Sequence, residues 1–565
     1  MKFFIAQINP IVGDLEGNAK KILSFAAQAY SYSADLILTP ELSLWGYPPK
    51  DLLLKGNLID KQHKILNELA LKIKNKYGDL SVTIGIAEII KDSFFPNLYN
   101  SIALVEGGKW QIIARKIILP TYEVFDERRY FRSEEKVSVL TKKIKNKTWK
   151  LGITICEDLW VNENIEGRGI HKKNPIFELK NKKIDILLNL SASPYTFKKF
   201  ELRSKITSFA AKYLQVPLIY INQVGANDNL IFDGNSFILD KNGCKLRQLK
   251  SFSEDISSWE INQTTNLKNE FQYSEIASVF DALVLGVKDY AKKCGFKTAL
   301  IGLSGGIDSA LVSAIAAAAL GSENIYSVSM PSKWNSEHSK SDAKDLARRL
   351  NINFNTISIE ELMKSFEDSF LKSLNFKAEE ITNQNIQSRI RGTLLMALAN
   401  QDKHLLLSTG NKSELAVGYC TLYGDMNGGL SVIGDLYKTY VFKLSNWLDS
   451  NDSIKHRKQY NLNTEVQLIG KNILSKAPSA ELGPNQLDTD SLPPYSKLDI
   501  ILQGIIEEKK DLKLLLKDGH KEDMVLQIIS LMKKAEFKRK QAPPILKLSS
   551  QSFGNDWRVP IAISY

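Results

Sequence analysis

Two tracts of alternating strand-like and helix-like patterning constrain this chain more than any other feature. In the first, short apolar runs recur at residues 3–8, 36–39, 82–87, 101–105, 151–155, 184–190, 218–222 and 236–239, with helical periodicity over 18–30 and 60–77. Such a pattern calls for a central sheet covered by helices. In the second tract, a helix over 278–293 precedes strands at 298–303, 325–329, 354–359 and 404–408, and helices fall at 308–320, 341–350 and 385–400. Strand–helix alternation implies a parallel sheet with right-handed crossovers. Between the tracts, residues 251–269 are rich in Ser, Glu, Asn and Thr and read as a connection. The expected division is a first domain over 1–240, a linker over 241–274 and a second domain over 275–565. Beyond residue 450 the tail reads as helices and loops, with Pro pairs at 493–494 and 543–544.

A chain of 565 residues, 43% apolar and 24% charged, is globular and long enough for two cores. Its formal charge of +12 permits nucleic acid or nucleotides as partners. The lysines are spread without a long basic block, and no RNA-binding module is recognisable, so no nucleic-acid partner is expected. The four cysteines, Cys156, Cys244, Cys294 and Cys420, form no C-x-x-C pair. A disulfide framework or structural zinc site is therefore not expected, and a reducing, cytoplasmic setting is. The apolar start is too short for a signal peptide, and no stretch of eighteen apolar residues is present, so no membrane partner is expected.

The sharpest chemistry in the second tract is the run Thr298-Ala-Leu-Ile-Gly-Leu-Ser304-Gly305-Gly306-Ile-Asp308-Ser309. An apolar strand ends in Ser-Gly-Gly and a helix follows. Glycines let backbone amides approach a phosphate closely, and the free N–H groups of a helix start favour an anion. Ser304 and Ser309 can add hydroxyl donors, and Asp308 can hold Mg²⁺ bound to phosphates. A Gly-rich turn with an Asp cap occurs in many α/β folds. The full SGGxDS directly after a strand is more specific, and it is neither a dinucleotide fingerprint nor a Walker loop. It resembles the loop of the ATP pyrophosphatases, which split ATP into AMP and pyrophosphate.

Further segments narrow this resemblance. They are Asn383-Gln-Asn385-Ile-Gln-Ser-Arg389-Ile-Arg391, then Thr409-Gly410-Asn-Lys412-Ser-Glu414 running on to Gly424-Asp425, then Gly434-Asp-Leu-Tyr-Lys438, Pro478-Ser479 and Phe537-Lys538. Their order and spacing resemble the NAD synthetases, with an adenine-nucleotide α-hydrolase-like (Rossmann-like) domain. The resemblance implies that Ser304, Gly305, Gly306, Asp308, Ser309 and Thr409 bind ATP, and that Asp308 and Glu414 hold Mg²⁺ as the cofactor. It implies that Asn385, Arg389, Arg391, Glu414, Asp425, Lys438, Ser479 and Lys538 serve the deamido-NAD⁺ substrate. Among these, Lys438 is expected to meet phosphate oxygens, Ser479 to lie near the transferred phosphoryl, and Arg389 and Arg391 to face the dinucleotide or a second subunit. A homo-oligomer, at least a dimer through this domain, is implied as well.

Three segments carry chemistry in the first tract: Pro40-Glu41 with Gly46-Tyr47; Arg115-Lys116 leading to Tyr122 and to Phe125-Asp-Glu127; and Ile155-Cys156-Glu157-Asp158. A lone Cys after a strand is usually a small buried hydrophobe. Here two acids follow it, which suggests a functional thiol. Glu41 can act as a general base, and Lys116 can stabilise an oxyanion. These segments resemble the nitrilase superfamily, in its glutaminase branch fused to NAD synthetase. The resemblance implies an αββα sandwich, Cys156 as nucleophile with Glu41 and Lys116 beside it, and Glu127 in support. It places Tyr47, Tyr122, Glu157 and Ser193 around glutamine.

The whole chain thus resembles the glutamine-dependent NAD⁺ synthetases. The resemblance implies ammonia release from glutamine, adenylylation of deamido-NAD⁺ by ATP, amidation, and a sheltered route for ammonia. Three other readings compete. GMP and asparagine synthetases share the pyrophosphate loop but use different glutaminase domains. An RNA-modifying enzyme has no evident use for a nitrilase-like amidase. A scaffold with two decayed sites conflicts with the intact Glu41, Lys116, Cys156, Asp308 and Glu414.

Overall fold

In a computed structural model, residues 1–90, 95–160, 174–261, 263, 274–484 and 486–563 are described. The chain divides into two compact units, Met1–Tyr273 and Ser274–Tyr565.

The first unit begins with β1 (Lys2–Gln7), β2 (Leu36–Leu38), β3 (Ser81–Ile89), β4 (Leu98–Glu106) and β5 (Lys109–Arg115). There follow β6 (Ser138–Ile144), β7 (Lys147–Ile155), β8 (Ile186–Ser191) and β9 (Leu218–Asn222). A hairpin of β10 (Val224–Asn227) and β11 (Leu230–Asp233) leads to β12 (Phe237–Leu239), β13 (Lys245–Gln248) and β14 (Asp255–Glu260). Two six-stranded sheets result, in the orders β14-β1-β2-β3-β4-β5 and β13-β12-β9-β8-β7-β6. Each has three parallel strands at its heart and antiparallel strands outside them.

The period-two alternation of strand side chains sets the layering. Phe3 and Ile5 point into a core shared with Ile153, Leu188 and Ile221 of the other sheet. Their neighbours Phe4 and Ala6 point the opposite way, against Ile22 and Leu66 of the helices Leu15–Ser31 and Gly56–Tyr77. On the far side, Leu187 packs on Ile206 and Leu214 of the helix Lys199–Leu214. The unit is the αββα sandwich that the motifs implied. The central strands are apolar on both faces, which is why they read as unbroken apolar runs.

The linker expected over 241–274 is corrected in part: 245–248 and 255–260 are strands within the two sheets. Polar serines hid β14, an edge strand. It is held by full antiparallel register with β1 and by Trp259, buried and stacked on Phe3 at 6.3 Å. Residues 262 and 264–273 of that expected linker lie outside the described residues.

The second unit is built on β15 (Ala299–Gly302), β16 (Ile325–Ser329), β17 (Asn353–Thr356), β18 (Leu405–Ser408) and β19 (Leu430–Ser431). They form one parallel sheet in the order β17-β16-β15-β18-β19. After β15 the chain adds strands on one side, then crosses to the other. The order therefore reverses between β15 and β18, and ligands of open parallel sheets bind beyond the strand ends at such a point. The helix Ile307–Leu320 is almost wholly buried, consistent with its alanine-rich sequence, in which Asp308, Ser309 and Ser313 are the polar residues. A helix the sequence reading missed, Glu360–Leu374, has no buried residue. Among the described residues, no helix is long and apolar enough to cross a membrane.

Candidate active sites

In the first unit, β2, β5 and β7 each deliver one chemical group just beyond their ends. Glu41 follows β2, Lys116 follows β5, and Cys156 follows β7. The Lys116 ammonium donates to Glu41 Oε1 and to Glu127 Oε1, at 2.7 Å each. All three side chains are buried. Asn100 Nδ2 donates to Glu41 Oε1 at 2.7 Å, and the Ala192 N–H donates to Glu41 Oε2 at 3.0 Å. Tyr47 OH donates to Glu127 Oε1 at 2.8 Å.

Cys156 turns out of β7 with φ of 44°, in the left-handed region that costs a non-glycine residue about 1–2 kcal/mol. The turn opens the short helix Cys156–Leu159 and is held by Asp158. That carboxylate accepts from Ile155 N at 2.9 Å, from Ile117 N at 3.1 Å and from Ile118 N at 2.9 Å. One buried side chain thus fastens the cysteine turn to the segment carrying Lys116. Asp158 was not singled out from the sequence; its place in Cys-Glu-Asp was the available signal.

Burial and the nearby Glu41 push the Cys156 thiol well above its usual range, against the pull of Lys116. The resting group is therefore a thiol, and its attack requires a base. Burial by itself would lower the Lys116 ammonium, but Glu127 and Glu41 outweigh it and hold it well above the ordinary lysine range. Burial drives Glu127 up to about 7, opposed by Lys116. Breaking a buried pair of this kind leaves an uncompensated charge, at about 3–5 kcal/mol. Tyr122 OH donates to the Glu157 carboxylate at 2.8 Å. Ser193, one residue beyond Ala192, is buried, and its backbone is held by Asn222 and by Arg203, itself paired with Asp233.

In the second unit, a cavity of about 450 Å³ lies where the strand order reverses. Ser304, Gly306, Asp308 and Ser309 line it from the β15 side, and Thr409 and Glu414 from the β18 side. Gly305 has φ of 79°, and a Cβ there would lie 2.3 Å from Ser339 O, so a side chain cannot be accommodated. Ser304 Oγ lies 3.1 Å from Ser309 Oγ, and Ser309 Oγ donates to Gly306 O at 3.0 Å. Asn411, missed in the sequence reading, caps the helix Lys412–Val417 through Glu414 N and donates to Asp308 Oδ1 at 3.0 Å.

Lys438 meets carboxylates here rather than open phosphate space. Its ammonium bridges Asp308 and Glu414, lying 3.1 Å from Glu414 Oε1. Burial would lower it, yet Asp308 and Glu414 raise it above the usual range. Burial lifts Glu414 to about 7, opposed by Lys438. Among the described residues, no group of three or more His, Cys, Asp or Glu forms a metal cage. Two converging carboxylates still fit Mg²⁺ in its nucleotide-bound form, which takes one or two carboxylates and completes its shell from phosphates and water.

Asn385, Asp425 and Lys538 border the cavity. Asn385 accepts from Thr421 Oγ1 at 2.9 Å, and Asp425 accepts from Thr421 N at 2.7 Å. Lys538 donates to the carbonyls of Gly418 and Cys420. Arg391 lines the cavity by reaching Met330 O and Asn335 Oδ1, and burial lowers it to about 10. Arg389 is not brought in; its guanidinium donates to Leu422 O at 3.3 Å outside the lining. Ser479 borders the cavity, but its hydroxyl is engaged with Gln486 O in its own loop.

Comparison with known proteins matches this architecture part by part. The carbon-nitrogen hydrolase family is matched over residues 5–267 and the NAD synthase family over 279–542. The glutamine-dependent NAD(+) synthetase of Synechocystis is 44% identical over 99% of this chain and 98% of its own length. The chain belongs to the glutamine-dependent NAD(+) synthetases. The Thermotoga maritima member is 38% identical over 99% and 98% of the two lengths. The solved Acinetobacter baumannii glutamine-dependent NAD+ synthetase, in complex with ADP, has a TM-score of 0.75 at 35% identity, covering 99% of this chain and 98% of that one. In this member of the family, the hydrolase match falls on the αββα unit and the synthase match on the parallel sheet with the cavity.

Asp158→Ala strips the acceptor from three buried N–H donors, each costing about 1–3 kcal/mol when left unpaired. Urea unfolding should show the first unit destabilised by at least about 3 kcal/mol. An unchanged midpoint would show that Asp158 does not hold the cysteine turn.

Proposed function

We propose that the first unit releases ammonia from glutamine through Cys156, and that the second adenylylates deamido-NAD⁺ with ATP and amidates it to NAD⁺. The observation that carries the first half is the Lys116 ammonium shared by Glu41 and Glu127 beside the Cys156 thiol. Glu41 takes the thiol proton as sulfur attacks the side-chain amide carbon of glutamine. Lys116 stabilises the developing oxyanion, where a fixed buried charge acts strongly. The proton returns to the leaving nitrogen, ammonia departs and a γ-glutamyl thioester remains. Water, deprotonated by Glu41, then releases glutamate. Glu157, buried and bonded to Tyr122, is suited to the substrate ammonium, and the buried Tyr47 and Ser193 are assigned to the same substrate. A reducing, cytoplasmic setting suits a reaction that needs Cys156 as a thiol.

In the second unit, the triphosphate lies along the SGGxDS loop and the start of the helix Ile307–Leu320, with Thr409 on the opposite wall. Asp308 and Glu414 would hold Mg²⁺, which supplies charge neutralisation to the phosphates when bound. Lys438 is placed to trade a carboxylate for a phosphate oxygen when nucleotide enters. The nicotinate carboxylate displaces pyrophosphate from ATP, and ammonia then displaces AMP. Asn385, Asp425 and Lys538 border the space left for the dinucleotide, and Arg391 the end beside Met330. Exposed Leu371, Leu374 and Ile381 support a dimer, since Ile381 also borders the cavity.

Cys156→Ala should abolish NAD⁺ formation from glutamine while ammonia added from outside is still used. AMP and NAD⁺ are measured with each donor, and circular dichroism confirms folding. Sustained glutamine-dependent turnover would refute the nucleophile, and equal loss with both donors would indicate a structural cysteine. Asp308→Ala should remove synthesis from either donor; near-normal ammonia-dependent turnover at saturating Mg²⁺ and ATP would sink its role. Light scattering should give a mass above 63.6 kDa for the native chain, falling to 63.6 kDa when Leu374 and Ile381 are both changed to Glu. A native monomer would rule the dimer out.

A further inference from the structure

The helix Lys412–Val417 carries Glu414 and is only six residues long. A helix so short has little stability of its own, so its position is set by what grips it. Its first residue, Lys412, is completely buried, which is rare for lysine. Its ammonium lies 2.9 Å from both Asp435 and Glu507, 2.8 Å from Ser549 Oγ and 2.8 Å from Gln551 O. Asp435 in turn accepts from Leu548 N and Ser549 N at 2.7 Å each, and from Ser549 Oγ at 2.8 Å.

Two of the four ammonium contacts therefore come from residues 549–551, beyond the end of the NAD synthase match at residue 542. The same segment runs beside β19: Ser431 N donates to Pro544 O at 2.8 Å, and Ser431 and Ile545 form a parallel bridge. The other end of the short helix is gripped by Arg539, just before that segment in the chain. Arg539 donates to the carbonyls of Leu415 and Ala416 and pairs with Glu536, which accepts from Trp557 Nε1 at 2.7 Å. A cation at helix-terminal carbonyls is favourable in charge and in hydrogen bonding.

We infer that residues 544–551 are a positioning element for the nucleotide end of the cavity, acting through Lys412 and Ser549 on Glu414 and Asn411. The inference rests on the reading of Glu414 given above. Asn411 adjoins Lys412 and binds Asp308, so a shift at Lys412 reaches both carboxylates of the pair. A buried ammonium tolerates few arrangements, because each lost partner leaves charge unsatisfied. That intolerance makes the network a register for the helix.

The test uses the full chain with Ser549→Ala, and Ser549→Thr as the variant that keeps the hydroxyl. Mg·ATP binding is followed by titration calorimetry, and hydrogen exchange of residues 411–417 by mass spectrometry. Glutamine hydrolysis on the same samples reports the integrity of the first unit. Ser549→Ala should weaken Mg·ATP binding about tenfold, the fold-change of losing one hydrogen bond to a charged group. It should also speed exchange in 411–417, and Ser549→Thr should restore both. Exchange and affinity within twofold of the native chain in Ser549→Ala would overturn the inference. Faster exchange with unchanged affinity would overturn it too, since the tail would then be structural alone. Failure of the native chain to bind Mg·ATP would strike the proposed function and, with it, the inference that rests on Glu414, an outcome distinct from any seen only in Ser549→Ala.

Discussion

The ammonium of Lys116, withdrawn from water and held between Glu41 and Glu127, is the interaction on which the first unit's chemistry depends. A buried cation demands partners at close range, and here one comes from another strand end and one from further along its own connection. Glu41 follows β2, Lys116 follows β5, and Glu127 lies on the loop after it. Satisfying the charge therefore fixes the relative heights of the strand ends. Asp158 extends the same logic with backbone donors, joining the Cys156 turn to residues 117 and 118. The strained φ of Cys156 is affordable because the surrounding bonds leave the turn no alternative.

The second unit repeats the principle with different parts. Its parallel sheet creates a crevice where the strand order reverses between β15 and β18, and the helices that follow those strands supply Asp308 and Glu414. Two acids facing each other in a buried place repel unless a cation stands between them. Lys438 fills that position, and burial shifts Glu414 upward even so. The pair is thus poised for exchange of one cation for another when a nucleotide brings its own metal and phosphates. Behind it, Lys412 anchors the short helix from the opposite side, so the carboxylates rest on a fixed support.

Much of this was legible in the residues. A helix-covered sheet in the first tract and a parallel sheet in the second followed from the apolar runs, the αββα sandwich was implied by the family resemblance, and Glu41, Lys116, Cys156, Asp308 and Glu414 stood out by motif. The edge strand β14 was not legible, because Ser257 and Ser258 interrupt its apolar pattern and only Trp259 betrays burial. The helix Glu360–Leu374 was missed as well, since none of its residues is fully buried and Met363 and Phe370 pack on the core only in part. Arg389 matched a motif, yet its helix turns it away from the cavity that Arg391, two residues on, does border.

What the sequence determined by itself was local: which segments alternate as strand and helix, and which residue types end them. It also carried the family, because motif order and spacing survive in one dimension. Tertiary structure alone decided the electrostatics. Whether an ammonium meets phosphate, water or a carboxylate depends on groups far apart in the chain, as Lys412 reaching Ser549 and Gln551 shows. Burial strengthens those meetings by excluding solvent, and burial is a property of the packed fold, not of any segment in it.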